Sequence, residues 1–316
     1  MQANLRGRAA AGLLIVMLVL GVAGARATGP AAAATPLEAE RASIDAWRAQ
    51  RTRGLTSDGG WLTLAGLLWL KDGENSFGRA PANSLVLDNA ALAAHAGAFV
   101  VSAHQVRFVA APDSGVTHNG QPVDTLELVA DTQGEPTVLA SGSLRFFLIE
   151  RAGNLGVRVR DLNNPRRLHF RGLDYFPVTT EWVVQARFEP YQPARQLKIV
   201  NILGMEEQLE CPGAVLFSKA GREWRLDAVL EAAGDQELLI MFADATSGHE
   251  TYGAGRFLYI PLPRDHTVQV DFNKAINPPC GLNDFATCPL PPTQNRLKLR
   301  VEAGEKKYAG APEHGA

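Results

Sequence analysis

The sequence lacks the features that mark several large protein classes. Basic residues are not in excess, since 31 Lys and Arg face 33 Asp and Glu and the formal net charge is −2. Binding to nucleic-acid phosphates requires concentrated Lys and Arg, so nucleic acid is not expected as a partner. The sequence also contains no serine-nucleophile elbow, P-loop, dinucleotide fingerprint or His-Glu-x-x-His motif. It therefore offers no support for the common hydrolase, nucleotide-binding and zinc-protease classes.

Apolar runs long enough to span a bilayer are also missing. The run from Leu13 to Val22 has ten residues, and a bilayer of about 30 Å needs about 20 residues of helix. The run follows Arg6 and Arg8 and precedes Ala25-Arg26-Ala27, which is the pattern of a secretory signal. We expect residues 1–27 to be a signal peptide and the mature protein to be exported, periplasmic or extracellular. No stable membrane anchor is expected after signal cleavage.

Cysteine is scarce, with three residues in the chain. Cys280 and Cys288 are eight positions apart, and an exported chain meets an oxidising compartment, so a disulfide between them is expected. The alternative is that Cys280 acts as a thiolate nucleophile or a metal ligand. Cys211 has no partner in this scheme and is interpreted as a small buried apolar residue.

The order of patterns along the chain predicts its domain organisation. Residues 28–34 form a small-residue linker, expected to be disordered. In residues 35–70, Thr35-Pro36-Leu37-Glu38 is a helix start with a capping box, and the apolar segment Trp61–Leu70 is expected to be a buried strand or packed segment.

Short strand-like segments separated by turn residues follow, and they predict a mainly β fold. Residues 71–165 are expected to form a β-sandwich, and residues 166–305 a second antiparallel β-sandwich or barrel domain. Residues 306–316 have no apolar pattern and are expected to be a disordered tail.

Polar side chains are concentrated among glycines and prolines between Asp244 and Asn295, which is typical of binding and catalytic loops. Asp271 and Asn273 are two apart on a predicted strand and share one face. If Asp244 and Glu250 converge on that face, the four could ligate a hard cation or bind sugar hydroxyls. Alternatively, Asp and Asn at strand ends cap turns through local hydrogen bonds.

Two functions remain open on these residues. In the first, the protein binds a small polar ligand or ion through loops of the C-terminal β domain. In the second, it is a hydrolase-type enzyme in which Glu250 or Asp271 is the acid or base, and an Arg or a metal stabilises negative charge. The metal and any cofactor cannot be named from the sequence. The candidate ligand-binding residues are Arg187, Asp244, Ser247, His249, Tyr252, Arg256, Asn273 and Asn277.

Two of these candidates also have ordinary structural interpretations. Glu250 could form an ion pair with Arg256 that orders the loop between them. Arg187 shares a strand face with Glu189, and the two could pair with each other. On this interpretation neither arginine is available to a ligand.

Six sequence blocks follow one another in order along the chain: Gly60-Trp61-Leu62-Thr63-Leu64, Gly73-Glu74-Asn75, Phe170-Arg171-Gly172-Leu173-Asp174-Tyr175-Phe176-Pro177, Ala186-Arg187-Phe188-Glu189-Pro190-Tyr191, Asp244-Ala245-Thr246-Ser247-Gly248 and Asn277-Pro278-Pro279-Cys280. With these blocks the chain resembles the bacterial and archaeal family called domain of unknown function 1684. The resemblance spans Trp47 to Glu305 and implies no activity, because that family has no established function.

Residues 71–123 are similar, more weakly, to forkhead-associated domains, which are phosphothreonine-binding β-sandwiches. Arg79 follows Gly78 as in those domains, and Asn119-Gly120 also matches. The Ser that such domains place before a His is replaced here by Ala94, before His95. The resemblance therefore implies the sandwich fold, and it leaves a phosphopeptide-binding module as the least favoured function.

Overall fold

The computed structural model describes residues 35–311. The expected signal peptide and linker lie outside these residues. The fold is mainly β, with several antiparallel sheets and one long N-terminal helix, as the sequence predicts. Within residues 35–311 no helix is both long enough and apolar enough to cross a membrane.

Helix α1 spans Pro36–Thr56 and begins with the predicted capping box. The Thr35 side chain accepts from the Glu38 backbone N–H at 3.2 Å, and the Glu38 carboxylate accepts from the Thr35 N–H at 2.7 Å. The helix buries Ile44 and Leu55. A second, one-turn helix, α2, spans Pro165–Leu168.

The first part of the β structure is a two-layer sandwich. Its strands are Leu64–Trp69 (β1), Gly73–Gly78 (β2), Leu85–Val86 (β3), Gly97–Ser102 (β4), Gln105–Ala110 (β5), Thr117–His118 (β6), Gln121–Pro122 (β7), Thr125–Leu128 (β8), Leu139–Ser141 (β9), Leu144–Arg151 (β10) and Asn154–Asp161 (β11). One layer is a six-stranded sheet in the order β1-β11-β10-β9-β6-β7, and the other is a five-stranded sheet in the order β3-β2-β4-β5-β8.

The inner faces of both sheets supply the core of this sandwich. Phe77, Phe99, Phe108 and Phe146 lie at its centre with tilted or edge-on ring contacts. Strand residues alternate between the two faces of a sheet. The segment from Leu155 to Arg160 therefore sends its valines inward and its arginines outward.

The apolar segment Trp61–Leu70 is confirmed as a packed segment that leads into a strand. A short 3₁₀ turn at Trp61–Thr63 precedes β1, which pairs antiparallel with β11 and places Leu67 opposite Arg158. Trp61 therefore lies beside the outer face of the six-stranded sheet.

The C-terminal part contains the strands Val183–Val200 (β12), Glu206–Lys219 (β13), Arg222–Ala228 (β14), Glu237–Phe242 (β15), Arg256–Pro261 (β16) and Thr267–Asp271 (β17). They form a four-stranded sheet in the order β14-β13-β12-β17 and a two-stranded sheet, β15-β16. No closed barrel is formed by the strands that the structure describes. Their common core includes Trp182, Phe217, Phe242 and Phe272.

The beginning of the expected tail makes specific contacts instead of being disordered. The backbone N–H of Lys306 donates to the Asp174 carbonyl at 2.8 Å, and that of Lys307 donates to the Glu250 carbonyl at 2.9 Å. The ring of Tyr308 lies 5.8 Å from that of Phe170. The expectation of a disordered tail therefore does not hold for Lys306 to Tyr308.

Asn295 joins the two C-terminal sheets. Its Oδ1 accepts from the backbone N–H of Asp227 in β14 at 2.8 Å, and its Nδ2 donates to the carbonyls of Asp227 and of Met241 in β15 at 2.9 and 2.8 Å. The side chain is buried. Asn295 thus satisfies three backbone groups between two sheets.

We predict that Asn295→Ala lowers the free energy of unfolding by about 3 kcal/mol, since a buried polar group without a partner costs about 1–3 kcal/mol. Urea denaturation measures the change. The control is Gln294→Ala, which removes one side-chain hydrogen bond to Asp227 and should cost under about 1 kcal/mol. Equal losses in the two variants would contradict this role for Asn295.

Candidate functional site

Asp244 and Arg256, two of the predicted ligand-binding residues, form a buried ion pair. Both side chains are fully buried, and Arg256 Nη2 lies 3.3 Å from Asp244 Oδ1. Arg256 also donates to the carbonyls of Ala303 and Val301, and Asp244 Oδ2 accepts from the Val301 N–H at 2.7 Å. These bonds fix the segment around Val301 against β16, and they leave the pair engaged with the protein itself.

The loop after Asp244 is held by the same carboxylate. Thr246 Oγ1 donates to Asp244 at 2.9 Å, and Ser247 Oγ interacts with both the backbone N–H and the carboxylate of Asp244. His249 is exposed at the tip of the loop. Ser247 therefore acts in the loop's own structure.

Glu250 pairs with Arg300 and not with Arg256. Its carboxylate forms a hydrogen-bonded ion pair with the Arg300 guanidinium, and both side chains are substantially exposed, at 39% and 48%. The hydrogen bond from Arg300 lowers the pKa of Glu250. The expected Glu250–Arg256 pair is thus wrong, because Arg256 turns inward to Asp244.

Asp271 and Asn273 form a local cap at the end of β17. Asp271 Oδ1 accepts from the backbone N–H and the Nδ2 of Asn273 at 3.0 and 2.9 Å, and Asn273 exchanges hydrogen bonds with the Thr179 backbone. Lys274 lies 3.4 Å from Asp271. The pKa of Glu40 in α1 is raised by burial and by the nearby charge of Asp271.

Asn277 belongs to a third network, which ties α1 to the C-terminal part. The backbone N–H and Nδ2 of Asn277 donate to the fully buried carboxylate of Glu305 at 2.7 and 3.1 Å. Arg51 of α1 pairs with the same carboxylate at 3.0 Å and donates to the Asn277 carbonyl at 3.1 Å.

Arg187 lies apart from these networks, on an exposed strand face. Its guanidinium is 3.5 Å from Glu189 and 3.8 Å from Glu223. Asp244, Glu250, Asp271 and Arg187 thus each have different partners, so the expected convergence on one cation or sugar site is not found. Within residues 35–311 no group of three or more His, Cys, Asp or Glu side chains could hold a metal ion.

A cleft of about 980 Å³ lies between the sandwich and the C-terminal sheets. Of the site residues predicted from the sequence, Cys288 lines this cleft. Its walls come from α1, the Trp61 turn, the β10–β11 hairpin, β13, β16 and the loop before Cys288. The side chains that define its chemistry are Arg51, Trp61, Asp131, Glu150, Arg151, Arg158, Glu206, Glu207, Glu231, Phe257, Tyr259, Ile276, Thr287 and Cys288.

Arg158 is the unusual residue of this cleft. It is 3% exposed, and its guanidinium lies over the Trp61 ring at 5.7 Å from the centroid. Nη2 donates to Thr287 Oγ1 at 3.3 Å, and the buried Nε has no hydrogen-bond partner. Among residues 35–311 no carboxylate forms an ion pair with it, although the charge of Asp131, which is paired with Arg151, attracts it. Burial, together with the nearby charge of Arg151, lowers the pKa of Arg158 to about 10.

The remaining arginines of the cleft are already paired. Arg151 binds Asp131 at 2.7 Å, and Arg51 binds Glu305. A smaller cavity of about 400 Å³ lies between residues 197–200 and 290–296, and one of its two charged side chains, Lys198, is paired with Glu206. The larger cleft is therefore the better candidate site.

Cys280 is a neighbour of Cys288, which lines the cleft. The Cys280 N–H donates to Cys288 Sγ at 3.1 Å, and the Tyr252 hydroxyl donates to the Cys280 carbonyl at 3.3 Å. A hydrogen bond from the Cys288 thiol lowers the pKa of Cys280, whereas burial raises the pKa of Cys288. The structure shows this pair as interacting thiols, so the expected disulfide stays a prediction.

Sequence reasoning did not identify Arg158 as a site residue. The alternation Leu155-Gly156-Val157-Arg158-Val159-Arg160 indicates a strand with arginines on its outer face. What the pattern does not show is that the C-terminal part covers this face. An outward arginine that looks solvated in the sequence is therefore buried in the fold.

The fold and the cleft define a mainly β protein with a buried cation facing a ligand-sized cavity. Residues 168–306 match the family described as "Protein of unknown function (DUF1684)", which confirms the resemblance for that part of the chain. The solution structure of an uncharacterized protein of Haloarcula marismortui is 28% identical, covers 44% of this chain and 78% of its own, and superposes with a TM-score of 0.39. No curated protein matches the chain closely enough to suggest an activity.

Loss of the buried Asp244–Arg256 pair and loss of the exposed Glu250–Arg300 pair are expected to destabilise the fold to different extents. Arg256→Met leaves Asp244 buried without its partner and should lower the free energy of unfolding by about 3–5 kcal/mol. Arg300→Met, at the solvent-screened pair with Glu250, should lower the free energy of unfolding far less than Arg256→Met. Chemical denaturation measures both.

Adding Asp244→Asn to Arg256→Met removes the unpaired buried charge and should restore part of the loss. Similar costs for the two single arginine variants would show that the Asp244–Arg256 pair is not the structural centre of this region.

Proposed function

We propose that the protein is an exported binding protein whose cleft holds a small organic anion against Arg158. The observation that carries the proposal is a nearly fully buried guanidinium, at a cavity wall, with no carboxylate partner among the described residues. Removing a charge from water is costly unless a partner compensates for it. An anionic ligand would supply that partner.

The chemistry of the ligand follows from the other cleft walls. Pockets for small molecules commonly measure about 300–1,000 Å³ and are largely apolar with a few polar groups, and the cleft reaches the upper end of that range. Trp61, Phe257 and Ile276 offer apolar surface. The lining carries three arginines and five acids, so a polyanion such as a polyphosphate would be repelled, and a monocarboxylate is favoured.

The ligand class is the one expected from the sequence, a small polar molecule. The proposed binding site is the cleft instead of the loops of the C-terminal domain. The candidate loop residues of the C-terminal domain are held in internal networks, whereas the cleft is built from both parts of the chain. The hydrolase alternative gains no support, because Arg300 lowers the pKa of Glu250 away from neutrality and Asp271 is engaged as a cap. The phosphopeptide alternative rests on Arg79, which is exposed, and on an incomplete motif.

The binding prediction uses hexanoate as the probe and hexanol as the neutral analogue of equal length. We expect hexanoate to bind and hexanol to bind at least tenfold more weakly, because a hydrogen bond to a charged group contributes about 1.5–3 kcal/mol. Arg158→Met should weaken hexanoate binding at least tenfold, and Arg158→Lys should weaken it less. Isothermal titration calorimetry measures the affinities, with the exposed Arg79→Met as the control.

The same Arg158→Met variant separates a binding role from a structural one. An uncompensated buried charge opposes folding, so its removal should leave the free energy of unfolding unchanged within about 1 kcal/mol or raise it. A loss of several kcal/mol, or hexanoate affinity that does not depend on Arg158, would contradict the proposed site.

Export and the disulfide belong to the same proposal. The N-terminal signal pattern and the adjacency of Cys280 and Cys288 support them. We predict that protein secreted through its own signal carries the Cys280–Cys288 bond, which mass spectrometry of unreduced tryptic peptides would show. Closing this short loop should stabilise the fold by about 2–3 kcal/mol relative to the reduced protein. Free thiols at both positions in the exported protein would contradict this prediction, and Cys211 should be unmodified in either case.

A further inference from the structure

The charged groups of the cleft fall into paired and unpaired sets. Among the described residues, most of the lining charges have a charged or hydrogen-bonded partner: Arg51 pairs with Glu305, Arg151 with Asp131 and Glu206 with Lys198, and Glu150 hydrogen bonds to the His104 imidazole. Within that same part of the chain, Arg158, Glu207 and Glu231 are the lining charges that no ion pair accounts for. The cleft thus combines one unmatched cation with unmatched acids.

Glu231 is the better placed of the two acids for ligand contact. It follows β14 and lines the cleft together with Tyr259 of β16. The residue is exposed at the cleft margin. Partial desolvation of the carboxyl group raises the pKa of Glu231, and its interaction with Tyr259 opposes that rise. An ionised carboxylate in such a wall is stabilised by a nearby cation.

Arg158 and Glu231 belong to opposite walls. Arg158 lies on β11 of the sandwich, and Glu231 lies on the C-terminal side with Tyr259. They do not form an ion pair with each other, although both line the cleft. A ligand that contacts both must therefore carry its two charged groups apart on a connecting chain, as ω-amino carboxylates and short peptides do.

We infer that the ligand is dipolar, with its carboxylate at Arg158 and a cationic amine at Glu231 and Tyr259. This inference rests on the proposed function and names the substrate class of the same site. Glu231 is then a specificity-determining residue: it selects ligands with an amine at the far end over simple carboxylates of equal length. The apolar residues between the two walls accommodate the connecting chain.

The test compares three probes of matched length: hexanoate, 6-aminohexanoate and hexylamine. Isothermal titration calorimetry on the purified protein should show 6-aminohexanoate binding at least tenfold more tightly than hexanoate, and hexylamine binding more weakly than either. The test is repeated with ω-amino carboxylates of three to eight carbons. For each length, the affinity is compared with that of the acid that lacks the amine, and the largest difference marks the chain length that reaches both groups.

Glu231→Gln should remove the tenfold advantage of 6-aminohexanoate and leave hexanoate affinity within twofold. Tyr259→Phe should reduce the advantage without abolishing it. The matched control is Glu206→Gln, which makes the same change on the cleft lining at a residue paired with Lys198, and it should leave the advantage intact.

The outcomes separate this inference from the proposed function. Hexanoate binding that depends on Arg158, combined with no preference for the amino acid at any chain length, would overturn the dipolar ligand and leave the anion site standing. A preference that survives Glu231→Gln, or that is lost in Glu207→Gln instead, would overturn the role of Glu231. Absence of binding by hexanoate and by every ω-amino carboxylate would overturn both.

Discussion

The covering of one sheet face by the C-terminal part of the chain is the constraint on which the candidate site depends. The sandwich has its own core, and the outer face of its six-stranded sheet would be ordinary solvated surface if it stood alone. Trp61, Thr287 and Cys288 lie over that face and enclose Arg158. A solvated arginine has no desolvation penalty, but Arg158 becomes a buried cation because a second layer covers it. The cleft is the unfilled part of the junction between the sandwich and that second layer.

Buried polar networks hold the junction in place. Arg51, Glu305 and Asn277 tie helix α1 to the C-terminal part, and Asp244 with Arg256 fixes the segment that ends at Glu305. Breaking such a pair leaves a desolvated charge without its partner, which strongly destabilises the fold. Arg158 differs from them in one respect. Their charges are paired within the protein, whereas no carboxylate among the described residues forms an ion pair with Arg158, and Asp131, whose charge acts on it, is paired with Arg151.

Local signals predicted the fold well. Each of these signals involves only a few consecutive residues. The capping box at Thr35 predicts the helix, and the alternation in the strands with the turn residues between them predicts the antiparallel sheets. The stretch from Asp244 to Asn295 is rich in constrained polar residues, and the structure places Asp244, Arg256, Asp271 and Asn277 in internal networks. Asp, Asn and Arg in Gly-rich segments serve as caps and buried pairs as readily as ligand contacts. Only three-dimensional partners, such as Arg300 for Glu250, distinguish the two uses.

The candidate site at the cleft cannot be predicted from the sequence because its residues are far apart along the chain and carry no local pattern. Trp61, Arg158, Glu231 and Thr287 come from four separate segments, and each resembles an ordinary strand or loop residue on its own. What distinguishes Arg158 is a buried charge without an ion-pair partner, and that is a property of the assembled fold. Glu231 lines the same cleft but is exposed, and it too has no ion-pair partner among the described residues. An unpaired cation and an unpaired acid that line one cavity are the observation on which the proposal of a dipolar ligand rests.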